Sequence, residues 1–424
     1  MMQKEQTKMV NSAYPTIVIS LCAIFLFYKY VLQVFPSIIT NQLMHEFQLT
    51  GAGLGNLAAT FYYAYMIVQL FVGILLDKFS TRWLTSTAIF SCALGVLLFS
   101  QAHTSYQAGL SRALMGMGVA FATVSYMKLA ANWFSPKRYA FVSGLLATAA
   151  MAGAVFGQVP LAWLITHYGW RQCLYIVGLS GFALTVVFVF TIRDAPRKSE
   201  KNLANRNKFS MIEVLQVFKN KQNWVLTFYS GLAFSPIAVF GGLWGNPFLE
   251  QAYDLSKTQA ASMISLVFIG LGVGSPLLGI LSDQLGDRRN VMLFSTLISC
   301  AAITMVLYFH PLSIGILSLL LFMFGFGLGA FMLVFAMGKE LNHSALTGTV
   351  IAMLNTSDAF LDAITEPFIG KLLDFSWDGK ILNGVHLFSL HSYHMALSIL
   401  PLYLLAGALL LLLVNDVKKY REEM

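Results

Sequence analysis

Twelve long apolar segments constrain what this chain can fold into. A helix needs about 20 consecutive apolar residues to cross the ~30 Å hydrocarbon layer of a membrane, and each segment has at least that length. We therefore expect twelve membrane-spanning helices. The segments are 16–41, 54–76, 83–102, 106–133, 139–165, 172–192, 223–248, 259–282, 290–309, 313–338, 347–372 and 392–414.

The composition agrees with an integral membrane protein. Of the 424 residues, 57% are hydrophobic and only 11% are charged, whereas a soluble protein carries about 25% charged residues. The first ~15 residues are polar, and the first apolar run is long enough to span a membrane, so we expect a signal anchor and no cleavable signal peptide.

The net charge of +8 is distributed unevenly. With a cytoplasmic N-terminus, 20 of the 27 Lys and Arg residues fall on the cytoplasmic side, four lie at or beyond the opposite ends of the segments, and three lie deeper within them. The positive-inside rule then predicts cytoplasmic N- and C-termini in a bacterial inner membrane. The charge is explained by topology in a lipid bilayer, and no nucleic-acid partner is expected.

A short polar turn occurs twice, as GILLDKFSTR at 73–82 and as GILSDQLGDRR at 279–289. The two copies are offset by 206 residues, close to half the chain. Upstream of them, Thr50 and Ser256 lie in the same register, each suited to capping the next helix. A repeat of this length indicates a duplicated half.

Both copies resemble the motif G-x-L-x-D-[RK]-x-G-[RK]-[RK], which the major facilitator superfamily carries after its second and eighth helices. The first copy departs from the motif at Ser80 and Thr81. The second has Gln284 in place of a basic residue but keeps Gly286. The resemblance implies that the motif residues latch cytoplasmic helix ends; these are Gly73, Asp77, Lys78, Arg82, Gly279, Asp283, Arg288 and Arg289.

The resemblance covers the whole chain and implies an all-α membrane protein with twelve helices in two pseudo-symmetric six-helix bundles. It also implies alternating access. We predict an N-terminal bundle at 1–192, a cytoplasmic linker at 193–222 and a C-terminal bundle at 223–424.

Three basic residues, Lys29, Arg112 and Lys128, lie within apolar segments of the first half. Lys29 is central in the first segment, too deep to reach water easily, so it should face a wet cavity or a carboxylate. Arg112 opens a run that resembles the family pattern R-x-x-x-G-x-G-x-A. Either cation could bind an anionic substrate or form a structural ion pair. Lys128 lies about 160° around the helix from Arg112 and is expected to reach the interface.

Neutral side chains near these cations are candidate substrate contacts, although aromatic stripes more often serve packing. Gly157 is followed by Gln158 where the family's antiporter motif has Gly-Pro, which weakens a drug-efflux interpretation. The glycine-rich end of the seventh segment indicates a breakable helix. The neutral candidates are Gln33, Tyr62, Tyr65, Tyr126, Trp244 and Asn355.

The eleventh segment carries Asp358, Asp362 and Glu366, one residue every four, in a slanted stripe on one face. Carboxylates this close repel, so at least one is expected to hold a proton near neutral pH. We predict that the three couple transport to protons. A sodium site, or acids neutralised by Lys29 or Arg112 without a transport role, are the alternatives.

These features predict a monomeric secondary transporter of a small organic anion or zwitterion, such as a carboxylate, an amino acid or peptide, or a carboxylate siderophore. Proton-driven export of a cationic drug is the alternative. A receptor should carry a signalling domain and an enzyme a nucleophile–base pair or metal ligands; neither is apparent, so we expect no enzyme, cofactor or metal site. The four cysteines should be core residues.

Overall fold

The computed structural model describes residues 13–194, 217–309, 311–342, 347–382 and 384–414. The predicted linker at 193–222 lies mostly outside these residues, so its boundaries remain a prediction. The helices of the first half are α1 (Tyr14–Val34, continued by a 3₁₀ turn at Phe35–Ile38), α2 (Thr40–Phe47), α3 (Gly51–Lys78), α4 (Thr81–Ser100), α5 (Ser105–Trp133), α6 (Pro136–Phe156), α7 (Val159–Tyr168) and α8 (Trp170–Thr191).

The second half repeats this helical organisation and adds a small hairpin. Strands β1 (Ile381–Leu382) and β2 (Val385–His386) pair antiparallel. The helices are α9 (Lys221–Val239, continued by a π-helical turn at Phe240–Trp244), α10 (Gly245–Tyr253), α11 (Lys257–Leu285), α12 (Arg288–Tyr308), α13 (Ile314–Leu328, continued by a 3₁₀ turn at Gly329–Met332), α14 (Leu333–Glu340), α15 (Thr347–Phe375), α16 (Leu390–Leu397) and α17 (Ile399–Leu411).

Eleven segments of the described chain are long and apolar enough to cross a membrane. Helix α15 is the twelfth: its 29 residues extend about 43 Å, but its acidic stripe makes it more polar than the others. We number these segments span 1 to span 12 in chain order. Spans 5, 7, 10 and 12 each consist of two consecutive helices, α6–α7, α9–α10, α13–α14 and α16–α17.

The predicted helix caps are confirmed. The Thr50 hydroxyl accepts a hydrogen bond from the Gly53 amide at 3.2 Å. The Ser256 hydroxyl accepts one from the Gln259 amide, while the Gln259 side chain accepts one from the Ser256 amide at 2.9 Å. This reciprocal pair satisfies two amides that the first turn of a helix leaves without partners.

Close helix contacts recur in the two halves. A Cβ added to Gly116 in span 4 would overlap the carbonyl oxygen of Phe61 in span 2. In the second half, a Cβ on Gly325 in span 10 would overlap the carbonyl oxygen of Val267 in span 8. Small residues permit such backbone approach in membranes, so the two halves are built by the same packing rule.

Several spans that the sequence predicts as continuous are interrupted. Span 1 ends in the 3₁₀ turn that contains Pro36, and span 5 breaks at 157–158, just before Pro160. Span 7 contains the π-helical turn, which Pro247 follows closely. Proline has no amide hydrogen for the helical ladder, which accounts for breaks at these positions.

The two halves meet at the end of the molecule that carries the β-hairpin, called the hairpin end below. There the Asp374 carboxylate accepts hydrogen bonds from the amides of Gly51 and Ala52, at 2.7 and 2.8 Å. Deeper in the molecule, the Tyr63 hydroxyl donates to the Ala363 carbonyl at 2.9 Å. An anion at a helix N-terminus is favourable, so Asp374 joins spans 2 and 11. The opposite end, with the two repeated turns, is called the motif end.

Gly116→Ala tests the close packing. The added methyl group should overpack the contact between spans 2 and 4, at a cost of about 1–3 kcal/mol, and should lower the apparent Tm in detergent. Gly109→Ala in the same helix is the control, because its Cβ would meet only Thr60 at an ordinary 3.8 Å. Equal thermal stability of the two variants would contradict this packing.

Candidate functional site

Arg112 lies in the interior of the first half and is almost completely buried, with 1% of its surface exposed. Its Nη1 atom donates to the Leu32 carbonyl at 2.8 Å. The guanidinium lies 4.6 Å from the ring centre of Phe61 and 5.3 Å from that of Phe35. Its buried Nε atom has no hydrogen-bond partner. The guanidinium therefore contacts span 1 and two rings, and its Nε donor is unused.

Lys29 lies nearer the motif end, in an aromatic environment. The Nζ atom is 5.1 Å from the ring centre of Tyr30 and 5.2 Å from that of Tyr65. Among the described residues, it forms no ion pair and no hydrogen bond. The Lys29 residue has 6% of its surface exposed, and an ammonium group whose described neighbours are two rings has unused hydrogen-bond donors.

The acidic stripe of span 11 is buried in the second half. Asp358 accepts a hydrogen bond from the Ser230 hydroxyl at 2.6 Å. Asp362 and Glu366 are only 1% and 2% exposed, and each has one buried carboxyl oxygen without a hydrogen-bond partner. An unpaired buried carboxylate is costly, which favours a proton or a cation at these oxygens.

The charged residues form two successive levels between the halves. Lys29 and Asp358 interact electrostatically at the level nearer the motif end. Arg112 and Glu366 interact at the level nearer the hairpin end. Each level places a cation of the first half near an acid of the second, without an ion pair between them among the described residues.

Neutral candidates surround both levels. The Gln33 amide donates to the Tyr62 hydroxyl at 3.4 Å, and the Trp244 indole donates to the backbone carbonyl of Glu366 at 3.3 Å. Asn355 is half-buried on span 11. These residues share the boundary between the halves with the charged groups.

Tyr126 and Lys128 lie elsewhere. Tyr126 is about 21 Å along the helix from Arg112, and its hydroxyl donates to the Val142 carbonyl within the first half. Lys128 donates to the Leu76 carbonyl of span 2. Neither is brought together with the charged residues between the halves.

Two residues of the site were not predicted as contacts. Tyr30 is the neighbour of Lys29 in the chain, and its ring contacts the Lys29 ammonium group. An aromatic residue next to a buried lysine is the sequence feature that could have indicated this contact. Ser230 is a small polar residue in an apolar span, and nothing in its sequence neighbourhood indicates its hydrogen bond to Asp358.

Exposure increases towards the motif end. Arg112 and Glu366 are almost fully buried, whereas Tyr30, Tyr65 and Asn355 are only partly buried. At the hairpin end, Trp244 separates these levels from a cavity of about 120 Å³. The level of Arg112 and Glu366 is therefore less exposed than the level of Lys29 and Asp358.

The second motif copy forms an ion-pair network. Arg288 lies 3.2 Å from the Asp283 carboxylate and 2.9 Å from that of Glu340. Arg289 donates to the Val414 carbonyl at 3.2 Å, which ties spans 9 and 12. Gly286 adopts the left-handed conformation, φ +63°, that ends span 8. Gly279 has no neighbour within 4 Å that an added Cβ would meet.

The first copy is arranged differently. The Arg82 amide donates to the Asp194 carboxylate at 2.6 Å, and its Nε donates to the Val189 carbonyl at 2.7 Å. Lys78 is exposed, and Gly73, like Gly279, has open space beside it. The Asp77 side chain lies outside the described residues, so its predicted latch role remains a prediction.

The described part of the chain contains no cluster of metal ligands. No group of three or more His, Cys, Asp or Glu residues there could hold a metal ion. The four cysteines are free and buried, as predicted.

Comparisons with known proteins agree with this architecture. The chain is 24% identical over 410 residues to the "Probable L-galactonate transporter" of Escherichia coli K12, covering 90% of this chain and 86% of that one. It is 24% identical over 372 residues to the "Probable galactarate/D-glucarate transporter GudP" of Bacillus subtilis, covering 80% and 81%.

A solved structure shares the fold. It is a bacterial homologue of the human lysosomal transporter Spinster in an inward-facing, unoccupied conformation, with a TM-score of 0.78 and 14% identity over 97% of this chain and 98% of that one. The family model of the Major Facilitator Superfamily matches residues 17–361 and 236–419. The chain belongs to the major facilitator superfamily.

Proposed function

We propose that this protein is a secondary transporter of small hydroxylated organic anions of the sugar-acid type. One central site between the halves would bind the substrate, and alternating access of this site to the two sides of the membrane would transport it. The observation that carries the proposal is Lys29, a buried residue whose ammonium group has aromatic neighbours and no hydrogen-bond partner among the described residues. The names of the galactonate and glucarate transporters to which the chain is similar support the substrate class.

A carboxylate is the chemical group that fits Lys29 best. Removing a charge from water is costly unless the charge is paired, and a bound carboxylate would supply both a counter-charge and acceptors. Arg112 offers a second positive charge one level deeper. The amide and hydroxyl groups of Gln33, Tyr62 and Asn355 suit the hydroxyls of a sugar acid.

The acids of span 11 are proposed to carry the coupling proton. Asp358 interacts electrostatically with Lys29, so an anion that engages Lys29 would weaken this interaction and favour protonation of Asp358. Asp362 and Glu366 extend the acidic stripe towards the hairpin end. Sodium coordinated by the carboxylates and Asn355 is the alternative coupling ion.

The membrane orientation follows the charge distribution. We propose that the motif end faces the cytoplasm of a bacterial cell and that the hairpin end faces outwards. Because Tyr30, Tyr65 and Asn355 are only partly buried, we propose that the site opens towards the cytoplasm in this conformation. A monomer contains both halves of the site.

Export of an organic cation is the second candidate. It is favoured by the buried, unpartnered carboxyl oxygens of Asp362 and Glu366, which could bind a positive charge. The two candidates differ in which half of the site binds the cargo.

Lys29→Gln should weaken the binding of D-glucarate or L-galactonate about 10- to 150-fold. The estimate converts the ~1.5–3 kcal/mol of a hydrogen bond to a charged group. Calorimetric titration of the purified protein measures the change. Lys128→Gln, which removes a lysine outside the site, should bind normally. Unaltered binding by both Lys29→Gln and Arg112→Gln would reject the anion site and favour the cation exporter.

Asp358→Asn should abolish accumulation driven by a pH gradient and still permit downhill exchange, because the side chain can no longer accept the coupling proton. Uptake into proteoliposomes with and without the gradient separates the two activities. Asp378→Asn, at the exposed hairpin, is the matched control. Concentrative uptake by both Asp358→Asn and Asp362→Asn would mean that the proton binds elsewhere.

Asp283→Asn should slow turnover and leave substrate affinity largely intact, because it removes one partner of Arg288 at the motif end. Asp77→Asn is also expected to slow turnover and to leave substrate affinity largely intact. Transport rate and equilibrium binding, measured on the same preparation, test both variants. A normal transport rate would contradict the latch.

A further inference from the structure

Three interrupted spans meet near the hairpin end. The interruptions are the 3₁₀ turn of span 1, the break of span 5 and the π-helical turn of span 7. Each provides a buried polar side chain at or next to the break, namely Ser37, Gln158 and Asn246. Spans 1 and 5 belong to the first half and span 7 to the second, so this cluster crosses the boundary.

The cluster is joined by short hydrogen bonds. Gln158 Nε2 donates to the Ser37 hydroxyl at 3.0 Å and to the Gly241 carbonyl at 2.9 Å. Asn246 Nδ2 donates to the Ser37 hydroxyl at 2.9 Å and to Gln158 Oε1 at 2.8 Å. The Ser37 hydroxyl itself donates to the Val34 carbonyl at 2.8 Å. We call this set the amide cluster.

Both amide groups use their donors across the boundary. Ser37 and Gln158 are fully buried and Asn246 is 1% exposed, so water does not compete for these bonds. The Gln158 side chain also binds a carbonyl inside the π-helical turn, where a proline-interrupted helix leaves backbone acceptors available. Opening of the hairpin end would have to break the bonds between Asn246 and the first half.

We propose that Gln158 and Asn246 are positioning residues that latch the hairpin end closed. They act through the π-helical turn of span 7, which carries Trp244, the residue between the charged site and the cavity at the hairpin end. Where the family's antiporter motif would have proline, Gln158 provides the side chain that crosses to the other half. The latch sets how often the site opens to that side.

Distances between spin labels test the latch without substrate. Cysteines replace His103 in the first half and Pro311 in the second, two exposed positions at the hairpin end. The four native cysteines are buried. In lipid nanodiscs, Asn246→Leu and Gln158→Met should each shift the distance distribution towards longer values. Both substitutions keep the side-chain size and remove the amide.

Asn223→Leu is the matched control. Asn223 is a buried asparagine on the same span, but its amide bonds, to Val217 and Asn342 at 2.9 Å, stay within the second half. Its distances should equal those of the parent. As a second readout, a membrane-impermeant maleimide should label Thr40→Cys, at the cavity of the hairpin end, faster in the Asn246→Leu background.

Unchanged distances in folded Asn246→Leu and Gln158→Met would overturn the proposal. If these variants fail to fold, Ser37→Ala decides, because it removes the shared acceptor with a smaller change: longer distances support the latch and parental distances reject it.

The inference rests on the proposed transport function, yet the two proposals can fail separately. Normal sugar-acid binding by Lys29→Gln and Arg112→Gln, together with longer distances in Asn246→Leu, would reject the anion site and keep the latch.

Discussion

Opposite charges face each other across the boundary between the two halves, in the interior of a membrane protein. Burying a charge there is expensive unless a partner compensates it, and separated halves would leave each charge without one. Lys29 and Arg112 in the first half interact with Asp358 and Glu366 in the second. Any movement that opens the boundary must therefore supply a substitute partner, and the proposed substrate anion or coupling ion would be such a partner.

The scaffold around these charges combines rigid and breakable parts. Glycines such as Gly116 and Gly325 let helices of one half approach to backbone contact. Spans 1, 5 and 7 are instead interrupted near the boundary, and in the amide cluster the Gln158 side chain donates to a backbone carbonyl of the π-helical turn of span 7. Rigid halves and interrupted helices at the boundary would allow the rocking about a central site that we propose.

The sequence predicts much of this architecture because its signals are local. Apolar length gives the spans, Thr50 and Ser256 give caps, and the stripe of span 11 follows from helical periodicity. What it misses depends on contacts between distant segments. The hydrogen bond from Ser230 to Asp358 and the bond from Gln158 to Gly241 join residues more than 80 positions apart. The second of these bonds reaches into the π-helical turn, which the sequence does not indicate. Tyr126 is a residue for which a local signal misleads. Helical spacing places it close to the face of Arg112, but it lies about four turns further along the helix and therefore outside the charged site.

Counterflow tests the central claim, that this boundary binds and moves a small organic anion, most directly. Proteoliposomes are loaded with unlabelled D-glucarate or L-galactonate and diluted into a trace of the labelled compound, with no ion gradient. We expect transient accumulation of label inside, absent from protein-free vesicles and suppressed by excess external substrate. Counterflow of a lipophilic cation, with none for any sugar acid, would contradict the account.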